Sequence, residues 1–304
     1  MNQQKVTVFT PAYNRAYTLG RLYESLLRQT DRRFCWLIVD DGSTDQTESL
    51  VANWMQEDKI DIEYYKQENQ GKPAAHNKGV ELAKTELFTC VDSDDYLTDD
   101  AVAEILKAWE QKANDCIGIL GYIERKGEGV LTKCSDSNIT KGTLRYLYEH
   151  GLSGDTILIF QTNVLKKYQF PKFAGEKFIP EAYLYDLLDQ EGKLFLLKKA
   201  IYVCEYLPDG YTAGMAKLLF SNPQGYFCYI NQRLKIDKSL KQRIADSIRY
   251  DAMAIAHHKK RIVKNAVYPF WALLAYPAGW LFYKKRYVRS YTHIHVILSI
   301  QLFS

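Results

Sequence analysis

Paired cysteines are missing from this 304-residue sequence. Its six cysteines stand singly, none forms a Cys-x-x-Cys pair, and several lie within apolar runs. This distribution argues against a disulfide framework and against a zinc site, and it favours buried free thiols in a reducing compartment. The first five residues also lack the apolar stretch of a secretory signal peptide, so we expect no such peptide.

Two glycine-rich phosphate-binding motifs are missing as well. No Gly-x-Gly-x-x-Gly sequence follows the first predicted strand, and no Walker A sequence is present. The dinucleotide-binding version of an α/β fold and the P-loop are therefore not supported. With 47% hydrophobic and 25% charged residues the composition is that of a folded protein, and the length suits one large domain with an appendage.

Basic residues are concentrated toward the C-terminal end of the chain. Residues 233–289 contain fourteen Lys and Arg against three Asp and Glu, a surplus of eleven positive charges. The formal net charge of the whole chain is +4, which leaves the remainder about seven units negative. This asymmetry predicts that the C-terminal region is attracted to an anionic surface. Membrane phosphates fit better than nucleic acid, because the apolar density near Trp271 is too high for a solvated nucleic-acid face.

Short apolar runs alternate with amphipathic stretches through the first 110 residues. The apolar runs predict strands at 5–9, 34–39, 60–65 and 87–91, and a helical pattern follows each of them. This alternation with short links predicts an α/β fold with a mostly parallel, Rossmann-like sheet flanked by helices. The pattern weakens between 118 and 154. It then predicts strands at 157–160 and 194–203, a helix at 180–190 and mostly helical structure beyond 215.

Polar residues follow three of the predicted strands. They are Tyr-Asn-Arg at 13–15, Asp-Asp-Gly at 40–42 and Asp-Ser-Asp at 92–94. In parallel sheets the ligands bind at the carboxyl ends of the strands. We therefore expect these three clusters to contribute to one binding site.

The acidic cluster at 92–95 directly follows a predicted strand. Because alternate residues of a strand point to the same face, Asp92 and Asp94 are expected to address one ligand. Carboxylates this close repel one another unless a cation or hydrogen-bond donors neutralise them. A hard divalent ion, which takes oxygen ligands and also binds phosphate, fits such a cluster. The alternative is an acidic cap for a helix that begins near Thr98.

An uncharged apolar or small-residue stretch occupies residues 266–283, with Lys and Arg on both sides. A membrane-spanning helix needs about 20 such residues, and Pro269, Pro277 and Gly279 are expected to break this one. Its aromatic residues are of the kind enriched at membrane interfaces. We favour a segment that lies on the bilayer. The alternatives are a buried C-terminal helix pair and a true membrane span.

Three motifs in this order resemble the inverting glycosyltransferases of family two, which have the GT-A fold. They are Thr-Val-Phe-Thr-Pro-Ala-Tyr-Asn-Arg at 7–15, Val-Asp-Asp-Gly-Ser-Thr-Asp at 39–45 and Val-Asp-Ser-Asp-Asp at 91–95. The likeness is close over residues 5 to about 110. From about 154 to 212 it is looser, and there the sequences at 175–181 and 208–212 are similar to bacterial members that build surface polysaccharides.

The resemblance implies roles for the residues of these motifs. Tyr13 would lie against the uracil of a UDP-sugar, and Asp41 would accept a hydrogen bond from uracil N3. Asp92 and Asp94 match the DXD motif, with Asp94 as the direct ligand of Mn²⁺ or Mg²⁺ and Asp92 reaching the ribose or the metal. The full set of implied nucleotide-binding residues is Pro11, Tyr13, Asn14, Arg15, Asp41, Lys72, Asn77, Asp92 and Ser93.

Structural interpretations stand beside these roles. Tyr13 is alternatively a strand-end tyrosine that caps the core, and Asp41 a residue that only holds its Gly-Ser turn. Members of the family often carry Arg directly before the asparagine that corresponds to Asn77, where this chain has His76.

An inverting transfer also needs a general base that removes the proton of the acceptor hydroxyl. Glu181 is the first choice, because it sits in the first turn of a predicted helix and family members with this Pro-Glu arrangement imply the same. Its alternative role is stabilisation of the helix start through the helix dipole. Asp155, after Gly154, and Asp186, further along the same helix, are the other candidates.

These features together predict a cytoplasmic glycosyltransferase that is peripheral on the inner face of the cell membrane. It would move a sugar from a UDP-sugar to a lipid-linked saccharide acceptor, with inversion, in cell-surface polysaccharide synthesis. The predicted GT-A domain covers 1–214, with a nucleotide-sugar half (1–110) and an acceptor half (111–214). The region 215–304 is predicted to be helical, basic and aromatic, with a membrane surface as the partner of 257–289 and no nucleic-acid partner.

Two other functions fit the same scaffold. A non-catalytic nucleotide-sugar or carbohydrate-binding protein would share the fold without turnover. A nucleotidyltransferase that makes sugar nucleotides should show a glycine-rich basic loop after the first strand, which the Tyr-Asn-Arg sequence at 13–15 is not.

Overall fold

The computed structural model describes residues 3–205, 211–236 and 239–288. Its contacts separate two units, which are Met1–Phe170 with Leu184–Leu207, and Pro171–Tyr183 with Pro208–Ser304. Each unit has its own secondary structure and its own core. These units are defined by contacts between residues and not by activity. The predicted nucleotide-sugar half (1–110) and acceptor half (111–214) therefore stay predictions.

The first unit is built around one large sheet. The strands in chain order are β1 (Val6–Ala12), β2 (Phe34–Asp40), β3 (Ile62–Lys66), β4 (Leu87–Cys90), β5 (Tyr96–Leu97), β6 (Cys116–Arg125), β7 (Gly129–Val130), β8 (Lys133–Cys134), β9 (Lys141–Gly142), β10 (Leu152–Ser153), β11 (Thr156–Gln161) and β12 (Lys193–Cys204). The helices over the same part of the chain are α1 (Leu19–Leu27), α2 (Thr47–Glu57), α3 (Lys72–Leu82), α4 (Ala101–Gln111), α5 (Leu144–Glu149), α6 (Thr162–Leu165) and α7 (Ala182–Leu188).

The strand order of the large sheet is β3-β2-β1-β4-β11-β6-β12-β5. The first four strands are parallel, and all residues of β2 are buried, as expected for a strand with both faces covered. Strand β11 runs antiparallel to both β4 and β6, whereas β12 is parallel to β6. The predicted α/β class with a mostly parallel sheet is therefore confirmed.

Strand β6 lies in the region where the sequence pattern weakens, and its two glycines explain why. A Cβ atom on Gly118 would lie 2.3 Å from the carbonyl oxygen of Ile159, and one on Gly121 would lie 2.9 Å from the Ile201 side chain. The neighbouring strands β11 and β12 approach β6 so closely that side chains do not fit at these positions. Glycine weakens the sequence signal of a strand, so this strand was missed.

A group of stacked aromatic rings lies within the core of the first unit. The ring of Tyr23 stacks on Trp54 with centroids 4.4 Å apart, and Trp36 lies beside both.

All six cysteines are free thiols, and Cys35 is among the buried ones. Burial raises the pKa of Cys35 to about 12, so this thiol stays protonated and unreactive at neutral pH.

The second unit is helical in its C-terminal part, as the sequence predicts beyond residue 215. Part of the motif at 208–212 and the end of the basic region at 289 fall outside the described residues. The helices are α8 (Tyr211–Ser221), α9 (Pro223–Ile236), α10 (Leu240–Ala256), α11 (Ile262–Asn265) and α12 (Pro269–Tyr283), followed by a π-helical turn (Lys284–Val288).

Helix α12 runs without interruption through Pro277 and Gly279, so the predicted breaks are wrong at these two positions. Pro269 occupies the first turn, where a missing N–H costs little. Gly279 packs against α10, and a Cβ atom there would lie 2.6 Å from the Cβ atom of Asp251. The ring of Pro277 removes one backbone hydrogen bond of α12, and the helix still continues to Tyr283. No helix in the described ranges has the length and apolar character that a membrane crossing requires.

Two buried aspartates on α10 have opposite environments. Asp246 accepts hydrogen bonds from Arg233 at 2.9 Å and from Arg249 at 2.6 Å. Asp251 is 0% exposed, and neither of its carboxylate oxygens has a hydrogen-bond partner. Burial without a partner raises the pKa of Asp251 to about 7. Asp251 therefore opposes folding whenever it is ionised, whereas Asp246 supports it.

We expect Asp251→Asn to stabilise the protein above pH 7. The unfolded carboxyl titrates near 3.8 and the folded one near 7, so the folded state binds more protons between these values. The stability of the wild-type protein therefore falls as pH rises through this window, by about 1.4 kcal/mol for each unit of pKa difference. The variant should lack this decrease, measured by urea unfolding between pH 4 and pH 8.

Asp246→Asn is the matched control, since it removes a buried carboxylate that two arginines contact. It should destabilise the protein by about 3 kcal/mol at pH 7, because it leaves those arginines without their counter-charge. Equal effects of the two substitutions would contradict the contrast between the two environments.

Candidate active site

The three polar clusters lie at the same edge of the sheet. Ala12 pairs with Asp40 across β1 and β2, and the N–H of Asp41 donates to the carbonyl of Ala12 at 2.8 Å. On the other side of β1, the N–H of Val91 donates to the carbonyl of Phe9 at 2.8 Å. The parallel register therefore aligns the ends of β1, β2 and β4, which is the place where such sheets bind ligands.

Asn14 joins the first two clusters. Its backbone lies in the left-handed region with φ 52°, a conformation that asparagine tolerates better than most residues. Its side-chain oxygen accepts from the N–H of Thr44 at 2.8 Å, and its own N–H donates to Ser43 Oγ at 2.8 Å. These bonds account for Asn14 as a structural residue, and its predicted contact with the nucleotide stays a prediction.

Tyr13 stands immediately before this junction and is 48% exposed. A strand-end tyrosine that only caps the core would be buried, so the structural alternative for Tyr13 is not supported. Pro11 lies within β1 itself. The guanidinium of Arg15 donates to the hydroxyl of Tyr17.

Asp41 is 4% exposed, and its carboxylate orders the loop between β3 and α3. It accepts hydrogen bonds from the side chain of Gln67 at 2.7 Å and from the N–H groups of Gln70 at 2.9 Å and Gly71 at 2.7 Å. A carboxylate offers about four lone-pair directions, so the capacity for one more donor remains. Its principal visible role is to hold the loop, and the contact with uracil stays a prediction.

Lys72 begins α3 and reaches the acidic cluster. Its ammonium group lies 2.7 Å from a carboxylate oxygen of Asp92, and both side chains are partly buried. Two residues predicted from different parts of the sequence are therefore in direct contact. A lysine at this position can also contact an anionic ligand, since the ammonium group has three N–H donors.

Asp94 lies partly buried beside a second carboxylate of the acidic cluster. Burial and the adjacent Asp92 carboxylate raise the pKa of Asp94, and the charges of Arg15 and Lys72 partly offset this. Ser93, between the two aspartates, is 6% exposed. A hard divalent cation would relieve the repulsion, because both groups offer oxygen ligands. The donor set therefore fits Mn²⁺ or Mg²⁺.

Two protein carboxylates do not complete the coordination of such an ion. Within the described ranges, no group of three or more His, Cys, Asp or Glu side chains is arranged to hold a metal. An ion that prefers six oxygen ligands would need the rest from water and from phosphate oxygens of a substrate. The cluster therefore suits a cation that binds together with a phosphorylated ligand.

Asp95 belongs to the same cluster but serves the fold. Its carboxylate accepts from the hydroxyl of Tyr202 at 2.6 Å and from the N–H of Glu205 at 3.0 Å. Burial raises the pKa of Asp95 to about 7, and the charges of Asp92 and Asp94 add to this effect. Sequence analysis missed Tyr202, because nothing in a strand sequence indicates which residue meets a loop more than a hundred positions away.

Asn77 and His76 lie on α3 and pack against the chain near 170. Both ends of the Asn77 amide bond the backbone of Phe170, each at 2.9 Å. The ring of His76 packs edge-on against Phe9, Phe88 and Phe170. Loss of water and the charge of Lys72 lower the pKa of His76 to about 3, so the ring is neutral at pH 7. The structural partners of Asn77 are clear, and its predicted nucleotide contact remains untested.

The candidate bases lie in different places. Asp155 is exposed and directly precedes β11, whose antiparallel register with β4 brings this end of β11 to the edge that carries the acidic cluster. Asp186 is 9% exposed and contacts Arg145 at 3.3 Å, which makes it poorly accessible to a substrate. Glu181 is exposed, belongs to the second unit and directly precedes α7.

A family model described as "Glycosyl transferase family 2" matches residues 7–167. The match covers more than half of the chain and includes all three polar clusters at the strand ends. The chain belongs to glycosyl transferase family 2, and the resemblance stated from the motifs is confirmed.

Two curated relatives differ in how much of their length is matched. An uncharacterized glycosyltransferase of Rickettsia conorii is 35% identical over 111 residues, which is 36% of this chain but only 18% of that protein. The GalNAc(5)-diNAcBac-PP-undecaprenol beta-1,3-glucosyltransferase of Campylobacter jejuni is 29% identical over 234 residues, covering 73% of this chain and 72% of the relative.

Solved structures share the fold at low sequence identity. The S. aureus TarS fragment 1–349 in complex with UDP-GlcNAc has a TM-score of 0.58 at 18% identity, covering 94% of this chain and 92% of that one. The mannosyltransferase PcManGT of Pyrobaculum calidifontis, in complex with GDP-Man and Mn²⁺, has a TM-score of 0.53 at 17% identity, covering 99% and 81%. These neighbours confirm the GT-A fold.

We expect Asn77→Ala to lower stability while leaving the affinity for a nucleotide unchanged. The substitution removes two hydrogen bonds to the backbone of Phe170, each worth about 1 kcal/mol. Chemical unfolding should show a loss of about 2 kcal/mol, and calorimetric titration with UDP should show the wild-type affinity. A large loss of UDP affinity in a folded variant would instead support the role that the family resemblance implies.

Proposed function

We propose that this protein transfers a sugar from a UDP-sugar to a lipid-linked saccharide acceptor, with inversion, during synthesis of a cell-surface polysaccharide. One observation carries the proposal. The exposed ring of Tyr13, the Lys72–Asp92 pair and the Asp94 carboxylate all lie at the carboxyl edge of one sheet. An aromatic face, a cation and two acidic groups together suit the base, the diphosphate and the metal ion of a nucleotide sugar.

The donor would use these groups in separate roles. The exposed ring of Tyr13 offers a flat surface for the uracil, with Pro11 and Arg15 beside it, while Asp41 accepts from uracil N3. Lys72 would face the nucleotide from α3, whereas both ends of the Asn77 amide are bonded to the backbone of Phe170. TarS binds UDP-GlcNAc in its crystal structure, which supports a uridine nucleotide as the donor without identifying its sugar.

Asp94 would hold a divalent ion, with Asp92 reaching the same ion or the ribose. When bound, Mn²⁺ or Mg²⁺ supplies positive charge that neutralises the diphosphate leaving group. The raised pKa of Asp94 reflects a site in which negative charge lacks sufficient compensation. The Mn²⁺ in the mannosyltransferase of Pyrobaculum calidifontis supports this proposal.

The base would remove the proton from the acceptor hydroxyl as that oxygen attacks the anomeric carbon. Glu181 remains the first choice, because it is exposed and stands at the start of α7. Asp155 is the second, since it is exposed and adjoins the edge of the sheet. Asp186 is the weakest, because a buried carboxylate in contact with Arg145 is hard for an acceptor to reach.

A lipid-linked acceptor would be confined to a membrane, and α12 offers a surface that suits one. The large apolar side chains on its outer face are exposed, namely Phe270, Leu273, Leu274, Tyr276, Trp280 and Leu281. Lysines and arginines flank the helix at 259–264 and 284–286. We propose that this face lies on the anionic inner surface of the cell membrane, as a peripheral attachment. The lipid-linked substrate named for the Campylobacter jejuni relative supports this proposal.

Release of UDP from a panel of UDP-sugars, with and without Mn²⁺, tests the activity. We expect Mn²⁺-dependent release that falls at least about a hundredfold in Asp94→Asn, because a direct metal ligand is lost. Asp99→Asn is the matched control, since Asp99 is exposed and contacts Arg28. Tight binding of UDP-sugars without turnover, with any acceptor, would indicate a binding protein instead.

Sedimentation with lipid vesicles tests the membrane surface. We expect binding to vesicles that contain phosphatidylserine, and a decrease of roughly 30-fold in Lys284→Gln/Lys285→Gln, since each lysine near such a surface contributes about 1 kcal/mol. Phe270→Ser/Leu273→Ser should also weaken binding, whereas Val130→Ser, an exposed apolar residue of the first unit, should not. Equal sedimentation of all variants would contradict the assignment.

A further inference from the structure

The turn that carries Asp92 and Asp94 is held from one side by Tyr202. The Tyr202 hydroxyl accepts a hydrogen bond from the backbone N–H of Asp92 at 3.3 Å. The same hydroxyl donates to a carboxylate oxygen of Asp95 at 2.6 Å. One side chain therefore bonds both ends of the acidic turn, while the N–H of Asp95 closes the turn on the carbonyl of Asp92 at 3.1 Å.

Strand β12 fixes the position of Tyr202. This residue is 6% exposed and pairs with Leu97 of β5, the short strand that follows the acidic turn. Directly after β12, the N–H of Glu205 donates to the other carboxylate oxygen of Asp95 at 3.0 Å. The acidic turn is thereby attached to the end of a long strand that belongs to the central sheet.

Arg21 holds the same turn from helix α1. Its guanidinium donates to the carbonyl oxygen of Asp94 at 3.3 Å and forms an ion pair with Glu205. Lys126 lies 2.7 Å from the Glu205 carboxylate and completes this group. The backbone of the turn thus has a donor from α1 at Asp94 and an acceptor from β12 at Asp92.

We propose that Tyr202 and Arg21 are positioning residues that set the affinity of the acidic turn for a divalent ion and the diphosphate of the donor. The inference rests on the proposed function. Neither residue is assigned a contact with the donor, and both act through the acidic turn at residues 92–95. They belong to elements far apart in sequence, so the family motif at 91–95 does not include them.

The physical reason is the repulsion between neighbouring carboxylates. Asp92 and Asp94 separate if their backbone is free to relax, and an ion then finds its ligands apart. Groups that orient the ligands of a metal typically change metal affinity by about 10–100-fold when they are removed. Tyr202 bonds both ends of this short turn and Arg21 bonds Asp94 within it, so both occupy such an orienting position.

The test measures binding of Mn²⁺ by electron paramagnetic resonance and binding of UDP by calorimetry in the presence of Mn²⁺. Tyr202→Phe keeps the ring in the core and deletes only the hydroxyl. We expect Mn²⁺ affinity in the presence of UDP to fall about tenfold or more. Tyr23→Phe is the matched control, because the Tyr23 hydroxyl also donates to a carboxylate, that of Glu57 at 2.9 Å, away from the acidic turn. The control should lose some thermal stability and retain wild-type affinity.

A second variant covers the case in which Tyr202→Phe fails to fold. Arg21→Met removes the donor to the Asp94 carbonyl from a side chain that is 34% exposed, and it should weaken Mn²⁺ binding in the same direction. Wild-type affinity in the folded variants would overturn the positioning role while leaving the proposed function intact. Failure of the wild-type protein to bind UDP with Mn²⁺ would instead overturn the proposed function itself, and the positioning role with it.

Discussion

Electrostatic repulsion between two neighbouring carboxylates constrains the structure at the acidic edge of the sheet. Asp92 and Asp94 lie where a strand ends, and burial of Asp94 makes the unfavourable interaction stronger. Each of the surrounding elements offsets part of this repulsion. Lys72 brings a positive charge from α3, and hydrogen bonds from β12 and α1 hold the backbone of the turn. The remaining negative charge is suited to a cation, and a bound cation would in turn attract a diphosphate.

The fold was predictable where sequence patterns are local. The runs that form β1, β2 and β4 are apolar and short, and α1 shows clear helical spacing, so the parallel half followed from the sequence. Strand β6 did not, because close packing requires glycine at 118 and 121 and glycine conceals a strand. The continuous helix α12 was also not predicted, since proline and glycine in a sequence normally favour a break and this helix contains both at 277 and 279.

The candidate site was likewise predictable only in its local features. The polar residues at its strand ends are visible in the motifs at 13–15, 40–42 and 92–95. The register of the sheet brings them to one edge. The sequence does not show which hydrogen-bond partners those residues have. Asn14 bonds a neighbouring loop, Asp41 holds another, and Asn77 is bonded to Phe170. Such partners depend on residues distant in the chain, which no local pattern encodes. Tyr202 is hidden for the same reason.

We infer that the ends of β1, β2 and β4 form one site for a uridine diphosphate and a divalent ion. A crystal structure of the protein soaked with UDP and Mn²⁺ is the decisive measurement. We expect uracil against Tyr13 and a metal ion that joins Asp94 to the diphosphate. UDP bound at another surface, or a metal ion away from Asp94, would rule out this shared site.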